Sequence, residues 1–372
     1  MLGGWLVVVA GLAVMWRNDG DWGYFRLGAG ALLGQTPFGE PSGTHLYVSF
    51  PDVQIGPPAL VATLPFLLLP EPWDAVVVQG LIVGSVLLLI WLVDRFAQLM
   101  AVPAERRHRT VLLGGFALIP AWLVIAEFAH LDDALVLFLA VGAMILLARD
   151  RDLAAAVLIG LATATKPWAV VLVAMLLRGG VREAIRPVLV AGAVAAVCWA
   201  PFLTDPQTLH ALSDFRLRVD GTSGLAALGL EPKARIPGWV RPTQILGGLL
   251  LAVWATRRGQ WTAALLVGVA MRIALDPNTL LYYGSGAVLG AMAWEISRRR
   301  TGIPWCTGVA MAVFSVLGDL GAATGPVRLV VCAGLIVAVL VHPGDRALWP
   351  AQIARERLRR SNHAPMSSST VP

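Results

Sequence analysis

Apolar runs recur along the chain near residues 2–16, 73–93, 111–126, 133–148, 187–203, 240–256, 261–275, 280–296, 303–318 and 326–341, separated by short charged stretches. This pattern predicts an all-α, polytopic membrane protein. Several runs fall short of the roughly 20 residues that a perpendicular crossing needs, so tilted or partial crossings are expected. Two stretches break the pattern. "PDVQIGPPALVATLPFLLLP", residues 51–70, carries prolines throughout. It is expected to embed from Gln54 to Pro70 without crossing, leaving Trp73–Val93 to run inward. "AAAVLIGLATATKPWAVVLVAMLL", residues 154–177, has basic residues beyond both ends and a Lys-Pro pair in its middle. Each half is about 11 residues, or roughly 17 Å of helix, which predicts a short hairpin with Lys166 at its tip. The count is then about 12 membrane helices, including that hairpin, with both termini inside.

Charge assigns the two sides. The clusters at 105–109, 149–152, 178–186, 257–259, 298–300 and 354–360 are rich in arginine and mark the cytoplasmic face. The outward segments are then 17–52 with the embedded stretch to 70, 127–132, 165–167, 204–239, 276–279 and 319–325, and most carboxylates fall in them. Composition agrees: 57% hydrophobic and 14% charged residues in 372, with a mean hydropathy of +0.71, exclude a soluble globular domain. A net charge of +6 does not indicate nucleic acid, because the basic residues are dispersed between apolar runs. Cys198, Cys306 and Cys332 stand singly and predict neither disulfides nor a CxxC metal site. The N-terminus lacks a basic leader and cleavage site and reads as an uncleaved first span. Residues 1–342 are expected to form one transmembrane domain, and the polar, Ser- and Pro-rich end of 343–372 a cytoplasmic tail.

Candidate chemistry concentrates on the outward side. "EFAHLDDALVLF", residues 127–138, gathers three carboxylates and a histidine within seven residues. Each charge would cost about 2.5–3.5 kcal/mol at a helix centre, so the cluster belongs at a turn on the membrane boundary. One of Asp132 and Asp133 is expected to cap the following helix, the rest, with His130, to form a polar site. Asp19 and Asp21 precede a helix-like run from Trp22: one suits a cap, the other a base that takes a proton from a hydroxyl. Lys166, one of only two lysines, is expected either to snorkel or to meet an anion such as phosphate. "MRIALDPNTLLYYGSG", residues 271–286, adds Arg272, Asp276, Tyr282 and Tyr283, with Arg272 and Asp276 spaced to pair at i, i+4. The 204–239 loop carries a weak amphipathic helix around Leu209–Leu217 and is long enough to act as a lid. Walker, GxGxxG, HExxH and GxSxG patterns are missing, as is any internal repeat.

In order along the chain, "DWGYFRLGAGALLGQ", "LYVSFPDVQIGPPAL", "HLDDALVLFLAVGAMILLARDRDLAAAVLIGLATATKPWAVV" and "RIALDPNTLLYY" resemble the polytopic GT-C glycosyltransferases, specifically the actinobacterial glycosyltransferase family 87 and its mannosyltransferase relatives, over roughly residues 1–300. The resemblance implies a GT-C-like helical bundle with a large first outward loop carrying non-spanning helices. It implies transfer of a sugar, mannose foremost, from a polyprenyl-phosphate donor to a lipid-linked or cell-envelope glycan at the outer face of the plasma membrane. Asp21 matches the family's acid position and Gly28-Ala29 its Gly-Ala pair, whereas Trp22 and Phe25 depart from the usual Leu and Tyr. Asp19 fits the looser D-x-D form of eukaryotic relatives, so either aspartate is a candidate base. On this reading Lys166 and Arg272 bind the donor phosphate. His130, Asp132, Asp133, Tyr47, Asp52, Gln54, Asp276, Tyr282 and Tyr283 then contact the sugar or acceptor. No cofactor is required and a divalent metal is optional; the partners are the lipid donor, the glycan acceptor and membrane lipids. A secondary transporter or flippase is the alternative, set against the missing repeat and the one-sided acidic loops.

Overall fold

The computed structural model describes residues 21–35, 42–214, 217–298, 303–316 and 320–342. All regular structure among them is helical, apart from one isolated antiparallel bridge between Arg218 and Arg235. The first helix, α1 (Trp22–Leu32), is followed by a one-turn helix at Leu46–Ser49 and then by α2 (Pro57–Thr63), which tightens into a 3-10 turn at Leu64–Leu68. Twelve helical residues with two prolines at the start and one inside make about 18–20 Å. At that length the segment is shorter than a perpendicular crossing requires.

The long helices follow: α3 (Trp73–Leu99), α4 (Ala104–Glu127) and α5 (Leu131–Ala148). The turn between α4 and α5 depends on Ala129, whose φ of 50° lies in the left-handed region. A non-glycine residue there costs about 1–2 kcal/mol, offset by closing the helix end: Ala129 N–H reaches the Ala126 carbonyl and His130 N–H the Ile125 carbonyl. The hairpin forms as α6 (Asp152–Thr165) and a 3-10 arm, Pro167–Gly179, with Lys166 extended between them. The arms are about 21 and 26 Å long, so the tip stops short of a full hydrocarbon thickness of about 30 Å. The remaining α-helices among the described residues are α7 (Val181–Trp199), α8 (Val240–Arg257), α9 (Ala264–Ala274), α10 (Gly284–Ser297), α11 (Trp305–Met311) and α12 (Thr324–Val341), with short helices at Thr208–Asp214 and Gly224–Ala227 in the 204–239 loop.

Among the described residues, four segments are long and apolar enough to cross a membrane: Trp73–Leu99, Ala104–Glu127, Leu131–Ala148 and Gly321–Val341. The expected twelve crossings are thus not all carried by full-length spans. The other elements are 10–17 residues long or, like α7 and α8, carry arginines inside their bounds. The expected first span at 2–16 and the 343–372 tail lie outside the described residues. Leu87, Leu88, Trp91, Leu112, Phe116, Leu189, Leu250 and Val330 are exposed, an apolar belt that a soluble monomer would not present. Inside, polar groups find partners: Trp122 Nε1 donates to the Ile82 carbonyl at 2.8 Å, and Trp294 Nε1 to Gln260 Oε1 at 2.9 Å.

Contacts sort the connections into two ends, as charge predicts. At the arginine end, Arg178 bonds Asp150 and Asp152, Arg107 pairs with Asp94, and Arg106 donates to the Ile296 carbonyl. At the other end Asp21 N–H meets the Phe128 carbonyl, Gly56 N–H the Thr165 carbonyl, and Asp220 N–H the Pro277 carbonyl. Gly56 is required there: a Cβ would collide with the backbone oxygens of Ala164 and Thr165. This contact locks the embedded segment onto the hairpin tip.

Candidate active site

The acidic end encloses a cavity of about 850 Å³. Asp21, Asp52, Gln54, His130, Asp132, Lys166, Arg272, Asp276, Tyr282 and Tyr283 all line it, so residues separated by up to 262 positions meet in one place.

Its wall begins at the α4–α5 turn, where the constrained Ala129 aims His130 between two groups of carboxylates. His130 Nε2 lies 2.7 Å from Asp21 Oδ2, and Nδ1 lies 3.3 Å from Asp132 Oδ1 and 3.4 Å from Asp133 Oδ2. Burial alone would lower the imidazole pKa; the hydrogen bonds with Asp132, Asp133 and Asp21 together outweigh it and raise it to about 10. The ring is therefore an imidazolium at neutral pH, donating from both nitrogens. Tyr282 stacks on it with a centroid distance of 3.7 Å.

Asp21 occupies the N-cap position of α1 but makes no capping bond; its carboxylate goes to His130 instead. Its side chain is 42% exposed, and Oδ1 has no hydrogen-bond partner among the described residues. Neither aspartate holds the cap position of α5, which is His130 and makes no side-chain capping bond; inside the first turn Asp132 Oδ1 accepts from the Asp133 N–H at 2.8 Å. Asp19 lies outside the described residues.

Lys166 does not stand free. Its Nζ is 2.9 Å from Asp132 Oδ2 and 2.6 Å from Asp133 Oδ2, with all three side chains buried. The expected anion partner of this lysine is thus the aspartate pair itself. Arg272 is looser: its nearest carboxylate oxygen, Asp133 Oδ1, is 3.8 Å away, and its guanidinium lies over Tyr283 at 3.6 Å and over Trp168 at 5.2 Å. The expected Arg272–Asp276 pair at i, i+4 does not form, because α9 ends at Ala274 and Asp276 has left the helix. Asp276 accepts from the Asn278 N–H at 2.9 Å, and burial pushes its carboxyl up to about 6, against the pull of Arg272, that amide, Arg241 and Arg328.

His130, Asp132 and Asp133 present ligand atoms within 4.8 Å of one another, a donor set that suits a divalent cation in kind. The arrangement does not fit one: the Lys166 ammonium already bridges the two carboxylates, and both imidazole nitrogens are engaged with carboxylates.

Two expected residues lie behind the lining. Tyr47 is fully buried, donates its hydroxyl to the Ile55 carbonyl at 2.8 Å, and packs its ring 5.1 Å from both Trp199 and Phe202. It anchors the first loop to the end of α7 and is corrected here from a sugar contact to a packing residue. Asp133 sits one layer back, bonded to Lys166. Asp52 is exposed on the lining, and Gln54 holds the Pro51 carbonyl at 2.6 Å. Sequence reasoning missed Arg241, Gln244, Trp168 and Asn278, which line the same cavity. The spacing of Arg241, Gln244 and Ile245 at i, i+3, i+4 was the available signal, hidden because Arg241 reads as an ordinary flank of an apolar run.

Residues 56–229 match the model of glycosyltransferase family 87. The matched segment contains His130, Asp132, Asp133 and the Lys166 hairpin; Asp21 precedes it, and Arg241 and Arg272 follow it. No curated protein and no solved structure gives a match. The helical, membrane-suited architecture and this match, which spans just under half of the chain, agree with the resemblance carried by the sequence and support a glycosyltransferase of family 87.

Proposed function

We propose that this glycosyltransferase moves a sugar, mannose foremost, from a polyprenyl-phosphate donor to a hydroxyl of a lipid-linked or cell-envelope glycan at the outer face of the plasma membrane, with inversion at the anomeric carbon. One observation carries the reading: a single cavity holds a half-exposed carboxylate with one oxygen fixed and the other unpartnered, together with a cation of loose carboxylate contact.

Asp21 is the base. As the acceptor oxygen attacks the anomeric carbon, its proton passes to Asp21 Oδ1. The bond from that carbon to the phosphate oxygen breaks with its electron pair going to the phosphate. The imidazolium of His130 holds Oδ2 in place, so the carboxylate keeps its direction through the step. The charge growing on the leaving phosphate is met by Arg272, fixed over Tyr283 in a site of low dielectric. Lys166 acts one step removed, neutralising Asp132 and Asp133 so that they do not repel the phosphate. Asp52, Gln54, Asp132 and Tyr282 offer polar contacts to sugar and acceptor hydroxyls. A metal is optional, since phosphate is a competent leaving group and the Arg272 guanidinium supplies the positive charge beside it.

The test is turnover in proteoliposomes with labelled polyprenyl-phosphate mannose. Asp21→Asn keeps the fold and lowers transfer about 10²- to 10⁴-fold, the range for removal of a general base. Full transfer by that variant sinks the assignment.

A further inference from the structure

The cations that face the cavity are not equivalent. Lys166 is bonded to two carboxylates, His130 to carboxylates on both sides, and Arg272 lies within 4 Å of Asp133 while stacking on Tyr283. Arg241 differs: it is exposed on the cavity lining and makes no hydrogen bond or ion pair among the described residues, although its charge acts on Asp276. Asp276 cannot neutralise it fully, being itself shared with Arg272 and Arg328.

Arg241 stands in the first turn of α8, and the helix continues the argument below it. Gln244 and Ile245 follow at i+3 and i+4 on the same face, and both line the cavity. Gln244 is committed to the protein, donating to the carbonyls of Arg272 and Leu275, which ties α8 to the end of α9 at this point. One turn deeper, Gly248 lies against Val171 of the 3-10 arm, a residue that also lines the cavity. The next face of α8 presents Leu246 and Leu250, 58% and 69% exposed, to the surroundings of the bundle. From its outer end inward, this helix therefore offers an unpaired guanidinium, then an apolar wall, then the lipid-facing surface.

We infer that Arg241 is the primary anion contact of the site, and that its ligand is a lipid phosphate: a phosphate ester seated between Arg241 and Arg272, with its hydrocarbon chain passing over Ile245 and Val171 toward the bilayer. A guanidinium free of protein carboxylates binds phosphate without first breaking an ion pair, which Lys166 would have to do. A free phosphate or a nucleotide sugar would leave the apolar wall unused. The inference rests on the polyprenyl-phosphate reading above and adds, ahead of Arg272, a phosphate contact that the sequence did not single out.

The experiment uses the full chain in nanodiscs of zwitterionic lipid, titrated with undecaprenyl phosphate, undecaprenol and inorganic phosphate, beside the transfer assay. Arg241→Gln is expected to weaken undecaprenyl phosphate about 10- to 100-fold, as loss of a charge-assisted hydrogen bond does, and to leave undecaprenol unchanged. Arg241→Lys recovers part of the loss. Arg241 is exposed, so neither substitution disturbs a packed contact. Equal binding and transfer by Arg241→Gln overturns the assignment while the glycosyl-transfer reading stands. Inorganic phosphate competing as well as undecaprenyl phosphate overturns the lipid part. If the wild-type chain neither binds undecaprenyl phosphate nor transfers from a polyprenyl-phosphate sugar, the inference and the reading beneath it both fail.

Discussion

The two ends of the bundle carry the same kinds of ion pair with opposite energetics. At the arginine end most paired carboxylates stay in water: Asp150, Asp152 and Glu105 have side chains 59%, 43% and 88% exposed, with Asp94 lower at 25%. Pairs of this kind contribute about 0–1 kcal/mol. By the positive-inside rule arginines of this kind count through their number and side, whatever their partners. At the cavity end Asp132, Asp133 and Lys166 are 3%, 6% and 11% exposed, where removing one partner costs about 3–5 kcal/mol through the charge left unpaired. A buried cluster of that sort is weak as a source of stability, since an apolar replacement of the whole set is often neutral or better. Its retention next to a half-open carboxylate is better understood as preorganisation of a charged site.

The largest effect expected from breaking this contrast is at Lys166. Lys166→Met leaves two aspartates facing each other in a dry site and should lower stability by about 3–5 kcal/mol and abolish transfer. Adding Asp132→Asn and Asp133→Asn removes the stranded charges, so thermal unfolding should recover most of the loss while transfer stays absent. Recovery of both would make the cluster merely structural; unchanged turnover in the single variant would remove it from the site altogether.

A smaller effect is expected at Asp276, whose carboxyl is raised by burial from its ordinary 3.8 to about 6. For an acid whose folded-state pKa is raised, the folded chain keeps its proton between these values while the unfolded chain has lost it. Stability therefore falls as pH rises from about 4 to about 6 and stays lower above, by at most about 3 kcal/mol. Asp276→Asn should flatten that part of the stability curve. The same substitution removes a nearby negative charge that acts on Arg241 and Arg272 through space, so phosphate-lipid affinity measured at pH 7.5 should rise several-fold. A curve of wild-type slope between pH 4 and 6 in Asp276→Asn would show that some other group titrates there.

The comparison also shows why one end was more legible than the other. Arginine clusters act by number and side, which a linear sequence displays directly. The described parts of the segments expected to face outward meet at one end, and the prolines of 51–70 and the Lys166-Pro167 break were readable because each acts on its own backbone. Pairing at the cavity end depends on where helices stop. The Arg272–Asp276 spacing predicted a helical pair, and α9 ends two residues too soon for it. Lys166 was read as needing an anion, which is correct, but the anions lie 33 and 34 positions earlier on α5 and only packing brings them within reach. Tyr47 looked like a site aromatic because it stands beside a polar loop; the ring contacts that bury it come from Trp199 and Phe202. Arg241 was invisible for the converse reason: nothing near it in sequence marks an arginine that folding leaves without a partner.

The smallest effect is the one on which the contrast most directly depends. Glu105 and Arg109 form an i, i+4 pair at 3.3 Å on the first turns of α4, with side chains 88% and 54% exposed. The order, acid before base, and the position of the acid at the helix N-terminus both favour the pair. Even so, a pair in water is expected to contribute only about 0.3–0.5 kcal/mol. Glu105→Ala should therefore leave transfer unchanged and shift the unfolding midpoint by no more than about 1–2 °C, with the shift vanishing in high salt. A loss of several kcal/mol, or one that persists in salt, would mean that the arginine end is held by its ion pairs after all, and the division between a topological end and a chemical end would have to be redrawn.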